Sequence, residues 1–297
     1  MYTGRFAPSP TGPLHLGSLV AAVGSFLDAR QAGGRWLVRI EDLDTPRVIP
    51  GCADEMLRTL ETFGLHWDGR VEYQRLRLPV YLESLETLKS FGLTFECSCS
   101  RRDLELAENS GPAYPGTCRA GPTRSCGSTA TRYRVRNTVV SFQDRVQGSC
   151  HFDLRQLGDP VIRRRDGIFA YQLAVVVDDG AQGVTDVVRG TDLLQSTAWQ
   201  IELQSALHLA KPRYAHLPLV MENNNTKLSK SRRSLPIDPA SANTQLYEAL
   251  CLLQHPPPPE LAGASPSELL AWATTNWSLD RVQGQKEIVV FAQISQV

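Results

Sequence analysis

The sequence predicts an α/β protein built on a parallel sheet, and two observations predict it. Short apolar strand-like runs alternate with helical periodicity over residues 3–91, and the same texture returns after residue 187. Strand, helix, strand succession needs crossover connections, and crossovers make neighbouring strands parallel. Between the two stretches lies a segment of different composition, read as an insertion.

Residues 3–8 form a short strand that runs into Ser9-Pro10-Thr11-Gly12-Pro13, and Leu14 through Arg30 then carries helical periodicity. Trp36–Ile40 is a buried strand ending in Glu41-Asp42-Leu43-Asp44, and Ala53–Phe63 and Pro79–Phe91 are two further helices. From Glu96 to Asp186 the chain is rich in Gly, Pro, Ser and Cys, with strand-like pieces at Thr131–Arg136 and Ile168–Val177. Asp192–His208 is again helical, followed by the apolar strand His216–Val220 and the turn-forming Asn223-Asn224-Asn225. His255-Pro256-Pro257-Pro258-Pro259 is a stiff linker or terminator. Beyond it Ser265, Pro266 and Glu268 have the spacing of an N-cap, a first helical position and a capping-box partner. The expected organisation is a first half of the parallel-sheet domain at 1–95, an inserted module at 96–186, a second half at 187–237 and a short helical appendage at 238–297.

Lys+Arg and Asp+Glu are equal at 31 each, so the chain is not coated in positive charge for indiscriminate nucleic-acid binding. Residues 238–297 hold two basic and six acidic side chains, which leaves the basic excess in residues 1–237. No apolar run approaches the ~20 residues needed to span a bilayer, and the N-terminus lacks a secretory pattern. The expectation is a cytoplasmic monomer. Seven cysteines without an export signal are thiols or metal ligands rather than a disulfide framework, and five of them, Cys97, Cys99, Cys118, Cys126 and Cys150, fall in the insertion.

Two short strings carry the chemistry. His15-Leu16-Gly17-Ser18 sits at a strand-to-helix junction, where unpaired backbone N–H groups and the helix dipole favour a phosphate. Lys227-Leu228-Ser229-Lys230-Ser231 places two ammonium groups and two hydroxyls in a loop after a strand. Alone, the first is as well explained by a capped turn and the second better by a solvated basic loop. Together they resemble the paired signatures of class I aminoacyl-tRNA synthetases. Arg5-Phe6-Ala7-Pro8-Ser9-Pro10-Thr11-Gly12 and Arg39-Ile40-Glu41-Asp42-Leu43-Asp44 narrow the resemblance to the glutamyl/glutaminyl branch, over most of residues 1–237.

The resemblance implies a Rossmann-like parallel sheet that activates glutamate with ATP and Mg²⁺. It implies a glutamate pocket of Arg5, Phe6, Ala7, Pro8, Ser9, Glu41, Tyr171 and Arg189, an ATP site of His15, Gly17, Ser18, Lys227, Ser229 and Lys230, and His15, Lys227 and Lys230 as the catalytic donors. Residue chemistry agrees: arginine offers a planar fork to a carboxylate, glutamate has two carboxylates, and Glu41 suits its α-ammonium group. Against this, Tyr171 in an apolar strand is equally a core residue, and Arg189 equally a partner of Asp186 or Asp192.

Cys97-x-Cys99 with Cys118 suggests a structural zinc site, one ion per chain. Spacing alone favours Cys126 as fourth ligand, whereas the resemblance implies Tyr114. Arg132, Arg134, Arg136 and Arg163-Arg164-Arg165 are equally read as RNA contacts or as solvated faces. Only 66 residues follow Ser231, where ordinary glutamyl enzymes continue into a large anticodon-binding region. The resemblance is therefore to the truncated subfamily that transfers glutamate to queuosine in the anticodon of tRNA(Asp). The alternatives are an enzyme charging a tRNA 3′ end, a nucleotidyltransferase for another substrate, and a noncatalytic RNA-binding paralogue.

Overall fold

The computed structural model describes residues 1–100, 102–104, 113–125, 127–136, 138–222 and 236–290. The first half is a succession of β1 (Thr3–Phe6), α1 (Leu16–Gln31), β2 (Arg35–Ile40), α2 (Cys52–Thr62), β3 (Glu72–Tyr73) and α3 (Leu78–Ser90), with β1, β2 and β3 parallel. The later strands are β4 (Thr94–Cys97), β5 (Ala130–Tyr133), β6 (Val139–Asp144), β7 (Gly148–Asp153) and β8 (Val161–Arg163). They are followed by α4 (Tyr171–Ala181), β9 (Asp186–Gly190), α5 (Ser196–Ala206), β10 (Arg213–Leu217) and β11 (Leu219–Glu222). The chain closes with α6 (Ala242–Leu252), α7 (Pro266–Asn276) and β12 (Glu287–Val290).

A four-stranded sheet runs β7-β6-β10-β9, with β10 parallel to both β6 and β9. It abuts the first sheet at β1: the Thr185 N–H donates to Thr3 O (2.9 Å) and the Thr3 N–H to Thr185 Oγ1 (2.9 Å). The junction of β1 and β9 is thus where one parallel series meets the other, and crevices at such switch points, beyond the carboxyl ends of the strands, are where α/β proteins bind ligands. β4, β5 and β8 form a separate antiparallel sheet.

Helix α1 is buried nearly all round because it lies between the parallel strands β1, β2 and β9 and the tail. At Gly24 a Cβ would stand 2.5 Å from Leu217 Cδ1, so glycine sets the distance between α1 and β10. Leu246, Leu250, Leu253, Leu269 and Trp277 join the same core as α1, each worth about 1.5–3 kcal/mol relative to exposure. His255 is buried in the predicted linker and stacks on Trp277 at 4.5 Å, and β12 pairs in parallel with β11. Residues 238–290 are therefore more than a helical appendage, since they complete the core and extend a strand pair. The capping box at Ser265 and Glu268 is present as the spacing predicts. No helix among the described residues is long and apolar enough to cross a membrane.

Two expectations are corrected. Ile168–Val177 is not a strand: α4 begins at Tyr171, and burial of Leu173 through Asp179 on every side erases the 3.6-residue periodicity by which a helix is read. His216–Val220 is not one strand either. Pro218 lacks the N–H a ladder needs, and β10 ends and β11 begins on either side of it.

Candidate active site

A cavity of about 990 Å³ opens at the carboxyl ends of β1, β2, β9 and β10. Arg5, Phe6, Ala7, Pro8, Ser9, Glu41, Tyr171 and Arg189 all line it, as do His15, Gly17 and Ser18. Residues from positions 5 to 189 thus converge because parallel strands present their carboxyl ends to one edge. Lys227, Ser229 and Lys230 lie outside the described residues, as does Cys126. Pro236 bridges to His15, and the Ile237 N–H donates to Leu14 O (2.9 Å).

His15 caps α1, its Nδ1 accepting from the Ser18 N–H (3.3 Å). Desolvation holds its pKa below the ordinary imidazole value, so the neutral ring carries its proton on Nε2, available to a phosphate oxygen. A Cβ on Gly17 would approach that ring to 3.2 Å, so the glycine makes room for His15 itself.

Charge is organised from beneath. Asp178 and Asp179 are buried on α4. Asp179 accepts from Arg5 Nε (3.2 Å) and pairs with Arg39 Nη2 (2.8 Å), while Asp178 accepts from Gln74 Nε2 (2.8 Å), Arg77 Nε (2.5 Å) and the Tyr81 hydroxyl (2.7 Å). Arg5 is thereby held by its Nε alone among the described residues, which leaves its terminal fork to the cavity. Glu41 is the exception. Its Oε1 is buried 3.5 Å from Arg39 Nη2 and has no hydrogen-bond partner among the described residues. Burial raises its pKa to about 7, against the opposing pull of Arg39 and Arg5.

Tyr171, at the start of α4 and not in a core strand, accepts from Arg189 Nη1 (3.1 Å). Arg189 pairs with neither Asp186 nor Asp192. It donates through Nη2 to Thr197 Oγ1 (2.8 Å) and Gln200 Oε1 (2.7 Å), and through Nε to His216 Nε2 (3.1 Å). Asp178, Asp179, Gln74 and His216 escaped the sequence reading, and the only signal was an acidic pair inside an apolar run.

A second cluster lies at the end of β4. The Sγ atoms of Cys97, Cys99 and Cys118 are within 4.8 Å of one another. The Tyr114 hydroxyl is 3.4 Å from Cys97 Sγ and 3.9 Å from Cys99 Sγ. Burial opposes ionisation of Cys118, yet hydrogen bonds from Ser98, Thr123 and Tyr114 outweigh it and bring its pKa to about 5. These donors could hold a metal ion. The six arginines at 132, 134, 136 and 163–165 have internal partners. Arg132 lies 3.8 Å over the Tyr114 ring and donates to Asp159 O, Arg134 donates to Arg119 O, and Arg136 pairs with Glu202. Arg163 donates to Gly167 O, Arg164 pairs with Asp44 and Asp166, and Arg165 donates to Ser98 O.

A parallel sheet with an anion-friendly helix start at its switch point is the catalytic core of a nucleotide-using α/β enzyme. A family described as class I tRNA synthetases (E and Q), catalytic domain, matches residues 2–254. A Glutamyl-Q tRNA(Asp) synthetase of Thiobacillus denitrificans is 51% identical over 283 residues, 94% of each chain. One of Pseudomonas aeruginosa is 52% identical over 283 residues, 95% of each chain. Among solved structures, a glutamate tRNA ligase from Elizabethkingia meningosepticum in complex with its amino acid superposes with a TM-score of 0.78 at 24% identity, covering 98% of this chain and 67% of that one. The chain belongs to the class I tRNA synthetases of the E and Q type and, within them, to the glutamyl-Q tRNA(Asp) synthetase family. It is accordingly a ligase that uses ATP.

Proposed function

We propose that this enzyme condenses glutamate with ATP to glutamyl-adenylate and transfers the glutamate to queuosine in the anticodon of tRNA(Asp). One observation carries the first half: the cavity is lined by two arginines and by a carboxylate, Glu41, one of whose oxygens no described residue hydrogen-bonds, the complement of a ligand with two carboxylates and one ammonium group. The names of relatives about half identical over nearly their whole length support the second half.

In this reading the terminal fork of Arg5 takes one carboxylate, Arg189 and the Tyr171 hydroxyl take the other, and Glu41 takes the ammonium group, with Phe6, Ala7, Pro8 and Ser9 forming the wall. An oxygen of the α-carboxylate attacks the α-phosphorus, and pyrophosphate leaves with the bonding pair. His15 donates from Nε2 to the phosphates over Gly17 and Ser18, Lys227, Ser229 and Lys230 are assigned the same charge, and Mg²⁺ enters with ATP as counterion. No protein nucleophile is needed, so rate comes from positioning and charge stabilisation. A queuosine hydroxyl then attacks the acyl carbon, AMP leaves, and the hydroxyl proton passes to solvent or to AMP.

Zinc suits the second cluster. Zn–S bonds of ~2.3 Å in a tetrahedron place sulfurs ~3.8 Å apart, and Cys99 and Cys118 Sγ are 3.6 Å apart. Cys97, Cys99, Cys118 and Tyr114 would hold one structural ion, which supports the loop and takes no part in the chemistry. The division of the chain at 95, 186 and 237 belongs to the same proposal, as do a monomeric state and a cytoplasmic location.

The test is incubation with labelled glutamate, ATP and an isolated anticodon stem-loop, with or without queuosine. Labelling that requires queuosine and is lost after periodate oxidation of its diol is expected. Labelling only of intact tRNA at its terminal adenosine would overturn the transfer step.

A further inference from the structure

We propose that Asp144 and His216 form a buried relay that sets the orientation of Arg189, which makes both of them positioning residues for glutamate. The proposal rests on the reading of Arg189 as a wall of the glutamate pocket.

β9 and β10 run parallel with Arg189 and His216 at paired positions, and paired residues of neighbouring strands project from the same face of a sheet. Arg189 Nε therefore meets His216 Nε2 at 3.1 Å. Behind it, His216 Nδ1 stands 2.6 Å from Asp144 Oδ2, where β6 flanks β10. His216 and Asp144 are 0% and 1% exposed, so no solvent substitutes for either partner, and neither lines the cavity.

Proton positions follow from the donor and acceptor inventory. A separation of 2.6 Å between a ring nitrogen and a carboxylate oxygen requires a hydrogen between them, and an ionised carboxylate brings none. The hydrogen sits on Nδ1, and Nε2 presents a lone pair to Arg189 Nε–H; the Thr197 hydroxyl, also 3.1 Å from Nε2, donates instead to Leu193 O (3.1 Å). Asp144 cannot turn away, because its Oδ1 accepts from the backbone N–H groups of Val146 (3.0 Å), Gln147 (2.8 Å) and His216 (3.1 Å). A proton on Nε2 would set two donors against each other at 3.1 Å, and a doubly protonated ring would set two buried cations there. With the neutral Nδ1–H ring in place, the guanidinium is fixed on three sides, by His216 at Nε, Thr197 and Gln200 at Nη2 and Tyr171 at Nη1. Among the described residues, what is left for a ligand is one Nη1 N–H of a side chain that lines the cavity.

Asp144→Asn isolates this role. The retained oxygen still accepts the three backbone N–H groups, while the amide nitrogen donates to His216 Nδ1 and moves the ring proton to Nε2. Loss of a hydrogen bond to a charged group predicts a rise in the KM for glutamate in ATP–pyrophosphate exchange of roughly tenfold or more. The KM for ATP and kcat should move less. Long-range ¹H–¹⁵N correlation on the imidazole should switch from an Nδ1–H to an Nε2–H pattern. His216→Gln, whose amide oxygen can reach Arg189 Nε, should recover part of the affinity that His216→Leu loses, and this pair keeps the test alive if Asp144→Asn folds poorly. A wild-type glutamate KM in both Asp144→Asn and His216→Leu, with Arg189→Lys impaired, refutes the relay and leaves the pocket standing. A wild-type KM in Arg189→Lys overturns the pocket reading and the relay with it.

Discussion

Glutamate binding should be coupled to the ionisation of Glu41. This carboxyl group is enclosed by β2 and α4 with Arg39, Arg5, Asp179, Asp178 and Tyr171 as its charged or titratable neighbours, and burial sets its pKa at about 7. Only the carboxylate pairs with an ammonium group, so the binding-competent fraction of free enzyme is roughly one in eleven at pH 6 and ten in eleven at pH 8, and the apparent Kd should fall by about tenfold between them. His15 and His216 are both held below the ordinary imidazole value by desolvation. Calorimetry without ATP avoids titration of the phosphates. At pH 6 the observed enthalpy should vary with the ionisation enthalpy of the buffer, reporting about 0.9 proton released per glutamate bound. Glu41→Gln should weaken binding and abolish the slope. Equal affinity at pH 6 and pH 8, or an unchanged slope in Glu41→Gln, would refute the assignment of the ammonium group to Glu41.

Two further outcomes are expected. Metal analysis should find about one zinc per chain; Cys97→Ser should lower both metal content and the stability of the β4 region, and Tyr114→Phe should lower metal content where Cys126→Ser does not. The thermal midpoint should fall as pH drops below ~6.5, because buried His216 and His255 are neutral in the fold. Desolvation lowers both pKa values, the unfolded chain therefore binds protons first, and stability present above the unfolded pKa is lost as pH falls through the folded one. In His255 both nitrogens are committed, Nδ1–H to Leu253 O (2.6 Å) and Nε2 to the Ser278 N–H (3.0 Å), so His255→Ala should start lower and lose less between pH 7.5 and 5.5, read by scanning calorimetry.

The sequence by itself determined what depends on neighbours along the chain. The alternation of β1, α1, β2, α2 and α3, the capping box at Ser265, the strand-to-helix start at His15 and the short spacing from Cys97 to Cys99 are all local patterns, and local patterns survive in one dimension. The list of cavity residues came from resemblance to a family, and the parallel edge brings its described members together. Tertiary structure decided what depends on contacts distant in sequence. α4 hid as a strand because burial on all sides leaves no polar face to count. The arginines of residues 132–136 and 163–165 looked the same whether bound for RNA, water or protein, and only the fold supplied Glu202, Asp44 and the Tyr114 ring as partners. The clearest case is the pair behind Arg189: Asp144 and His216 lie 72 residues apart, and nothing in either segment announces the other. Two parallel strands had to pair in one register before a histidine in an apolar run became the acceptor that orients an arginine.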